Sequence, residues 1–406
     1  MVQALFWLAV LALVHSYVCY PLLLRYWARG KTLNQVVYTP TERQESADAM
    51  PYIAVLMAIY NEEKVLEAKL KSMVASNYPL HRLEFLIGSD NSTDKSHQII
   101  FHFQEKYPDI KLNLRIFEGR NGKINIINAL MEKHHNRLNQ YPNGLLVLTD
   151  ANVLFSPNLF FELSKHFKNP RIGLVGANIL NVGVKNAGIS YQEKWYIQHE
   201  NGVKYHEGII WGHMMGAFGA CYAMRTKLFE AVPNNFIVDD FFQTFKVLEK
   251  GYEAIKAPLA ICYEDVSDDI FEEYRRKKRI SAGNFQNLHA FRAFLSPFQG
   301  SLAFSFWSHK VLRWLGPVFL LLALVTNGFL AGQNYFYQLT LFVQIGLIGL
   351  ALLDTLLHTL GIHFKLSRFV RYFYLMNLAL AIGLTHYLRG VKTNVWKPTK
   401  REEAQE

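Results

Sequence analysis

The sequence predicts an α/β domain with a parallel, Rossmann-like sheet, flanked by membrane-spanning helices. Apolar residues concentrate at both ends of the 406-residue chain, in stretches long enough to cross a bilayer. Between about residues 50 and 150, short apolar runs alternate with helical segments, a pattern typical of βαβ units. The length suits one large or two ordinary domains between these ends.

Composition and charge narrow the class of protein. Half of the residues are hydrophobic and 14% are aromatic, which excludes a disordered chain. The net charge is +10, but basic residues flank apolar segments, as in Arg25–Lys31 and Lys310–Arg313. This placement favours the inner membrane surface over nucleic acid. The three cysteines have neither metal-binding spacing nor a paired framework, so we expect them to be reduced.

The first apolar stretch, from about Ala4 to Trp27, predicts a membrane anchor. Its charges follow the stretch, and no small-residue cleavage site is present, whereas a signal peptide shows the reverse order. We therefore expect an uncleaved anchor whose C-terminal end lies in the cytosol.

The next segments give the elements of the sheet domain. The polar connector 28–50 precedes four apolar runs, which we predict as strands over 52–59, 83–88, 112–117 and 144–149. Helices are predicted over 61–75 and 123–138, with a third after Ser92 or Asp94, either of which could cap it. Continuous rather than alternating apolar runs are typical of buried parallel strands.

The second half is less regular. Residues 172–177 predict a strand, and 241–250 predict a helix closed by Gly251. Residues 270–292 are basic and amphipathic, as in helices that lie on a membrane surface. Three further apolar segments, 315–330, 335–360 and 372–388, predict membrane spans.

These spans create a conflict of topology. One N-terminal and three C-terminal spans would put the tail outside if the sheet domain is inside. Basic residues of the tail favour the inside. Either one segment is interfacial or re-entrant, or the tail is an exception; the basic residues are Arg389, Lys392, Lys397, Lys400 and Arg401.

Asp150 directly follows the fourth predicted strand. Ligands of open α/β sheets bind beyond the carboxyl ends of the strands, so we expect its carboxylate to point into a crevice. It could hold a divalent cation that in turn holds a diphosphate, or it could simply cap the next turn. Further polar residues lie in predicted loops, or beside them, where their side chains could line the same crevice. They are Tyr60, Asn61, Glu62, Asp90, Asp94, Lys123, Asn128, Asp239 and Asp240.

This ordered set resembles the inverting family 2 glycosyltransferases, in the membrane-bound branch that includes cellulose, hyaluronan and poly-N-acetylglucosamine synthases and ceramide glucosyltransferase. The family's motifs match over about residues 50–290, and the membrane spans on either side are arranged as in the family. It implies a GT-A fold and the following division: an anchor over 1–30, a cytosolic GT-A catalytic domain over 50–270, amphipathic interface helices over 271–310, transmembrane helices over 311–390 and a polar tail over 391–406.

The resemblance implies that Tyr60, Glu62 and Asp90 contact the nucleoside of a donor. The sequence departs from the family's D-D-G-S-T-D motif with Ser89 and Asn91. Asp94 matches the last Asp of that motif, although it could equally be a helix cap.

A second group would bind the diphosphate. Lys123 and Asn128 match the family's Gly-Lys-x-x-x-x-Asn pattern, and Lys123 could reach the diphosphate as a point charge or be a solvated first-turn lysine. Asp150 matches the first Asp of the Asp-x-Asp motif, and Asn152 replaces the second. Mg²⁺ or Mn²⁺ accepts an amide oxygen, water and phosphates, so the resemblance still implies a metal, bound more weakly.

Asp240 matches the Asp of the family's Thr-Glu-Asp motif. An acceptor hydroxyl must lose its proton as it attacks the anomeric carbon, and a positioned carboxylate can take it. One direct displacement inverts the anomeric centre, unlike catalysis in hydrolases that use two carboxylates. Asp239 could be the base instead if the match is displaced by one residue.

Arg276 and Arg279 match the family's Gln/Arg-x-x-Arg-Trp motif, which borders the acceptor and the diphosphate. Ile280 replaces the tryptophan, so an aromatic platform for a sugar ring is missing. A basic helix face against lipid headgroups explains the cluster equally well, and the two roles can coexist. His213 could line the acceptor site, although a lone histidine is more often structural.

The sequence thus predicts an enzyme of the inner (plasma) membrane that transfers a sugar, with UDP-sugar as the expected donor. The acceptor would be a lipid, a lipid-linked molecule or a polysaccharide. A processive polysaccharide synthase is the first alternative, and a membrane transporter or scaffold is a distant one. We expect no nucleic-acid partner, because no recognition motif accompanies the positive charge.

Overall fold

The computed structural model describes residues 1–45, 49–183, 189–266, 269–360 and 364–395. The strands are β1 Ile53–Ile59, β2 Leu83–Ser89, β3 Leu112–Ile116, β4 Leu145–Thr149, β5 Val153–Phe155, β6 Ile172–Val182, β7 Cys221–Arg225 and β8 Glu253–Asp265. The helices are α1 Val2–Val14, α2 Tyr20–Trp27, α3 Pro40–Glu45, α4 Glu63–Val74, α5 Ser96–Lys106, α6 Lys123–Leu138, α7 Leu159–Ser164, α8 Ser190–Trp211, α9 Asp239–Glu249, α10 Ile270–Ala290, α11 Ser301–Ser305, α12 Leu312–Trp314, α13 Gly316–Leu330, α14 Tyr335–Thr359 and α15 Lys365–Leu388.

The chain divides into two compact units. The sheet unit contains Ala28–Gly183, Tyr196–Val266 and Val391–Glu406, and its described part ends at residue 395. The terminal unit contains Met1–Trp27, Val184–Trp195 and Ser267–Gly390.

Within the sheet unit, the described strands form one eight-stranded sheet in the order β3-β2-β1-β4-β7-β6-β8-β5. The four strands predicted before residue 150 are parallel neighbours, as expected. The later part of the chain makes the sheet mixed, because β7 is antiparallel to both β4 and β6, and β5 is antiparallel to β8. The short runs of β5 and β7 gave no separate signal in the sequence.

Both faces of the sheet are covered, which explains the continuous apolar runs of its central strands. On one face, α4 and α5 contribute Leu66, Leu70 and Phe103 to a core with alternate residues of β1 and β2. On the other face, α6 contributes Ile126 and Leu130. Burying each large apolar side chain stabilises the fold by about 1.5–3 kcal/mol.

The ends of the helices follow local chemistry. Helix α6 begins at Lys123, as predicted, after Gly122 with a φ of +86° that favours glycine. Helix α5 begins at Ser96, whose N–H donates to Asp94 Oδ1 at 3.0 Å. The N-cap position is Lys95, so Asp94 accepts the first N–H of the helix from one residue before the cap, whereas Ser92 Oγ accepts from the Asn61 N–H at 3.1 Å.

The terminal unit contains the apolar helices. Among the described residues, Val2–Trp27 and Tyr335–Leu357 are long and apolar enough to cross a membrane. Ser301–Trp314 and Gly316–Leu330, bent by 65°, would make a third span if they form one broken helix. Two of the three predicted C-terminal spans therefore have a counterpart.

The third, 372–388, belongs to the longer helix α15, which is not apolar enough to count as a span. Its first half carries Arg371, which pairs with Asp354 of α14 at 3.3 Å, both side chains being buried. Its second half packs closely on α10, where Gly383 leaves room for Ser281. Polar contacts inside the unit thus replace the uniform apolar surface of a lipid-facing helix.

Candidate active site

The carboxyl ends of β1, β2 and β4 meet at one edge of the sheet. From β1, the sheet continues to β2 on one side and to β4 on the other, so this is the point at which strand order reverses. Crevices at such points are the usual ligand sites of α/β sheets. Tyr60, Asp90 and Asp150 each follow the end of one of these strands.

Asp90 is fully buried and organises the loop before α6. Its carboxylate accepts hydrogen bonds from Arg120 Nε at 3.0 Å, from the Asn121 N–H at 2.5 Å and from the Gly122 N–H at 3.2 Å. The Arg120 guanidinium also lies 3.2 Å from the centroid of the Tyr60 ring. The predicted nucleoside contacts of Tyr60 and Asp90 stay predictions, and the structure links the two residues through Arg120.

Glu62 lies immediately before α4. Its backbone N–H donates to Ser96 Oγ at 3.0 Å, and the neighbouring Glu63 N–H donates to Asp94 Oδ2 at 2.9 Å. The loops after β1 and β2 are therefore held together at the edge of the sheet.

Lys123 lies close to two carboxylates of the predicted site that are far apart in the sequence. Its Nζ lies 2.8 Å from Asp150 Oδ1 and 3.7 Å from Asp239 Oδ1. Burial alone would lower the pKa of Lys123, but Asp150 and Asp239 raise it above the ordinary lysine value. Lys123 is therefore positively charged, and the alternative of a solvated first-turn lysine is not what the structure shows.

The Asp150 turn offers oxygen ligands of the type that Mg²⁺ and Mn²⁺ prefer. The Asp150 side chain is 39% exposed, and Asn152 Nδ2 donates to Glu264 Oε1 at 3.3 Å, which orients the amide. Within the described ranges, no group of three or more His, Cys, Asp or Glu side chains is placed to hold a metal. A carboxylate and an amide oxygen nevertheless fit a hard cation that takes its other ligands from water and phosphates.

Asp240 lies in the first turn of α9. Burial raises its pKa to about 6, and neighbouring Asp239 raises it as well, while Lys123 and Lys204 act in the opposite direction. Its Oδ1 accepts from the Phe241 N–H at 2.7 Å. Asp240 is half-buried, whereas Asp239 is buried, and the Oδ2 atom of Asp239 has no hydrogen-bond partner among the described residues. This arrangement suits a carboxylate that exchanges a proton near neutral pH.

A glycine-containing segment before β7 borders Asp240. A Cβ atom on Gly219 would lie 3.0 Å from the Asp240 carboxylate, so glycine leaves this side of the carboxylate open. The segment is tied to α9, because the Ala217 N–H donates to Thr244 Oγ1 at 3.0 Å, and Thr244 Oγ1 donates to Asp240 O at 2.7 Å.

Asn128 and His213 have structural contacts. The Asn128 amide binds the Val232 backbone in both directions, at 2.7 Å and 3.1 Å. His213 forms a β-bridge with Ala254 and stacks on Trp211, with ring centroids 5.3 Å apart. The substrate contact expected of Asn128 stays a prediction.

Arg276 and Arg279 belong to α10 of the terminal unit. Arg276 lies 3.0 Å from both Glu193 and Glu273, two buried carboxylates. Their roles at the acceptor or diphosphate stay predictions.

Sequence reasoning missed Asn394, in the segment that follows α15. It is 6% exposed, and its Nδ2 donates to Asn234 O at 2.6 Å. Its Oδ1 occupies the space that a Cβ atom of Gly122 would need. The tail residues Lys397, Lys400 and Arg401 lie outside the described residues.

Comparisons with known proteins show which family and which fold the chain resembles. The family model described as Glycosyl transferase family 21 matches residues 5–351. A beta-monoglucosyldiacylglycerol synthase of a Nostoc species is 25% identical over 133 residues, covering 33% of this chain and 27% of that protein. A poly-beta-1,6-N-acetyl-D-glucosamine synthase of Staphylococcus epidermidis is 26% identical over 158 residues, covering 38% and 34%. The chain thus spans about a third or less of these curated relatives.

A solved structure shows the same fold. The mannosyltransferase PcManGT from Pyrobaculum calidifontis, in complex with GDP-Man and Mn²⁺, superposes with a TM-score of 0.70 at 20% identity, covering 96% of this chain and 99% of that one. These findings confirm the predicted glycosyltransferase resemblance and the GT-A fold.

Proposed function

Because the chain belongs to glycosyl transferase family 21, we propose that it is a membrane-anchored inverting transferase that moves a sugar from a nucleotide-sugar to an acceptor at the membrane. The donor is a UDP-sugar, and the acceptor is a lipid, a lipid-linked molecule or a polysaccharide. One observation carries the proposal: Lys123 lies between Asp150, at the end of β4, and Asp239, beside Asp240 at the start of α9.

On the donor side, Lys123 neutralises charge on the leaving diphosphate, which is a large electrostatic contribution to catalysis. Asp150 and Asn152 would hold Mg²⁺ or Mn²⁺, which supplies further positive charge at the diphosphate when bound. Tyr60, Glu62 and Asp90 would form the nucleoside end of the site, since they follow the neighbouring strands β1 and β2.

On the acceptor side, Asp240 takes the proton of the attacking hydroxyl as the new glycosidic bond forms. Its pKa of about 6 leaves it deprotonated at neutral pH and still basic enough to accept a proton. Gly219 keeps the space beside the carboxylate open for the acceptor.

The identity of the acceptor separates single transfer from polymer synthesis. One curated relative is named for a glycolipid product and the other for a polymer. Ile280, in place of the family's tryptophan, favours single transfer to a lipid, because the aromatic platform for a growing glycan is missing.

The sheet unit would lie in the cytosol, and the enzyme would be a multi-pass protein of the inner membrane. The chain leaves the sheet unit at Val266 and returns to it at Val391, so the number of crossings in between must be even. The broken helix 301–330 and α14 supply two, and α15 then lies along one side of the membrane. With two C-terminal crossings instead of three, the basic tail lies on the same side of the membrane as the sheet unit, as its positive charge favours.

Nucleotide release from the detergent-purified protein tests the proposal. We expect release with one donor from a panel of UDP-sugars and GDP-mannose, with Mg²⁺ or Mn²⁺ present. Asp240→Asn should reduce the rate by at least about 100-fold, in line with loss of general acid–base catalysis. Asp150→Ala should reduce it strongly too.

Asp109→Asn is the matched control, because Asp109 is an exposed carboxylate in a turn of the same unit. Its activity should equal that of the wild type. Mass spectrometry of the product would distinguish one added sugar from a polymer. If no donor supports release with or without membrane lipid, or if Asp240→Asn stays fully active, the proposed function is wrong.

A further inference from the structure

Lys69 lies on α4 and is fully buried, with 0% of its surface exposed. A buried ammonium group costs free energy unless it is hydrogen-bonded, so its partners indicate why a lysine is there. No local pattern distinguishes it, because it is one of several lysines in an amphipathic helix.

The Lys69 ammonium group binds both ends of the Asp150 turn. Its Nζ donates to Thr149 Oγ1 at 2.9 Å and to the carbonyl oxygen of Val153 at 2.6 Å. Thr149 ends β4 and Val153 begins β5, so the two contacts bracket residues 150–152. The ring of Phe155 covers the ammonium group, with its centroid 3.4 Å from Nζ.

Thr149 and Asp150 in turn bind the Gly219–Ala220 segment, which lies beside Asp240. Because Lys69 donates to Thr149 Oγ1, the threonine hydroxyl is free to donate onward, and it does so to Ala220 O at 2.9 Å. The Asp150 N–H approaches the same carbonyl oxygen at 3.3 Å. Ala220 follows Gly219, which borders the Asp240 carboxylate.

Packing alone does not explain why a lysine occupies this position. Burial lowers its pKa to about 7, and the groups that raise it in part are Cys221, Cys262 and Asp150. An unbranched apolar side chain would fill the same space without this cost. The gain from lysine lies in its two fixed hydrogen bonds at the turn.

We propose that Lys69 is a positioning residue, which holds the Asp150–Asn152 turn and, through Thr149, the Gly219–Ala220 segment in the geometry needed for transfer. The inference rests on the proposed function, in which Asp150 and Asn152 serve the donor diphosphate. Contacts one shell away from metal and substrate ligands commonly change affinity or activity by about 10–100-fold.

Lys69→Met tests the proposal, with Lys256→Met as a matched control. Lys256 is also buried, at 2% exposed, and burial lowers its pKa to about 7 as well. Its Nζ donates to the carbonyl oxygen of Ala177 in β6 at 2.7 Å and lies 5.5 Å from the centroid of the Phe218 ring, so its contacts are with β6 and Phe218 rather than with the Asp150 turn. Both variants lose one buried ammonium group, so they should have similar thermal midpoints.

We expect only Lys69→Met to weaken Mn²⁺ binding in the presence of UDP, by about 10-fold or more, measured by electron paramagnetic resonance. Its kcat/KM should fall by a similar factor at saturating Mn²⁺. Thr149→Val, which removes the hydroxyl between Lys69 and Ala220 with little change of shape, should cause a smaller loss in the same direction.

Equal Mn²⁺ affinity and equal kcat/KM in Lys69→Met and Lys256→Met would overturn the positioning role. If Lys69→Met does not fold, the unchanged behaviour of Thr149→Val would overturn it. An inactive wild type would instead contradict the proposed function, so the two failures are distinguishable.

Discussion

The charges around Asp240 are set by residues that are distant in sequence. Lys123 comes from α6 and Lys204 from α8, and both counteract the effects of burial and Asp239 on the pKa of Asp240. The base role proposed for Asp240 requires a deprotonated carboxylate, so under that proposal these two lysines extend the pH range of activity to lower values.

We therefore expect kcat/KM to fall about 10-fold per pH unit below pH 6, because protonated Asp240 cannot accept the hydroxyl proton. Lys204→Met removes a positive charge, so the pKa of Asp240 rises and the acidic limb moves to higher pH. A pH–rate profile of the purified enzyme measures both effects.

Lys168→Met is the control for this experiment. Lys168 is 38% exposed and pairs with Glu42 at 2.6 Å, remote from α9 in its contacts. Its profile should match that of the wild type. An acidic limb that is identical in Lys204→Met and the wild type would exclude Lys204 from the electrostatics of the base.

At the scale of elements, the loop before α6 connects three features. Asp90 binds its backbone from one side, Lys123 extends from its end, and Asn394 of the segment after α15 packs against it. The loop is thus fixed by hydrogen bonds to Asp90, directly after β2, and by a contact with Asn394 near the far end of the chain.

Two glycines of this loop allow a controlled test. Gly119 and Gly122 have φ values of +67° and +86°, so alanine at either position costs about 1–3 kcal/mol of backbone strain, and the ψ of 152° at Gly122 is one that essentially only glycine adopts. A Cβ atom on Gly119 meets nothing within 4 Å, whereas one on Gly122 would lie 2.0 Å from Asn394 Oδ1.

Gly122→Ala should therefore displace Asn394 or the loop and weaken UDP binding by about 10-fold, the effect of roughly 1.4 kcal/mol. Gly119→Ala should lower the thermal midpoint with much less effect on UDP. Calorimetric titration measures the UDP affinity of the two variants, and melting curves measure their thermal midpoints. The same loss of affinity in both variants would mean that strain alone, and not the contact with Asn394, matters.

At the scale of the whole molecule, the proposed arrangement of spans predicts on which side of the membrane particular residues lie. Lys392 follows α15 and belongs, with Asn394, to the sheet unit, whereas Asn334 lies in the turn between α13 and α14. Single cysteines at these positions, in a Cys19→Ser background, can be labelled with an impermeant maleimide on intact cells and on inverted vesicles.

Lys392→Cys should react from the same side as Asp109→Cys, the marker of the sheet unit, and Asn334→Cys from the opposite side. The physical reason is that an even number of crossings returns the chain to the side it left. Labelling of Lys392→Cys and Asn334→Cys from one and the same side would contradict the proposed two crossings.

Local patterns along the chain determined much of the protein. Continuous apolar runs predicted β1 to β4 and their parallel order, because a strand buried on both faces needs apolar residues on both. The polar residues at the strand ends, together with the family resemblance, selected Asp90, Lys123, Asp150, Asp239 and Asp240. Two of these, Asp150 and Asp239, pair with Lys123.

Only the tertiary structure decided the rest. The antiparallel course of β7, the bend at Leu315 and the packing of α15 on α10 depend on contacts between segments far apart in sequence. Lys69 and Asn394 carry no local signal, because a lysine or an asparagine acquires its role from the partners that folding brings to it. Periodicity records which face of an element is buried, whereas long-range contacts determine what each buried polar group binds.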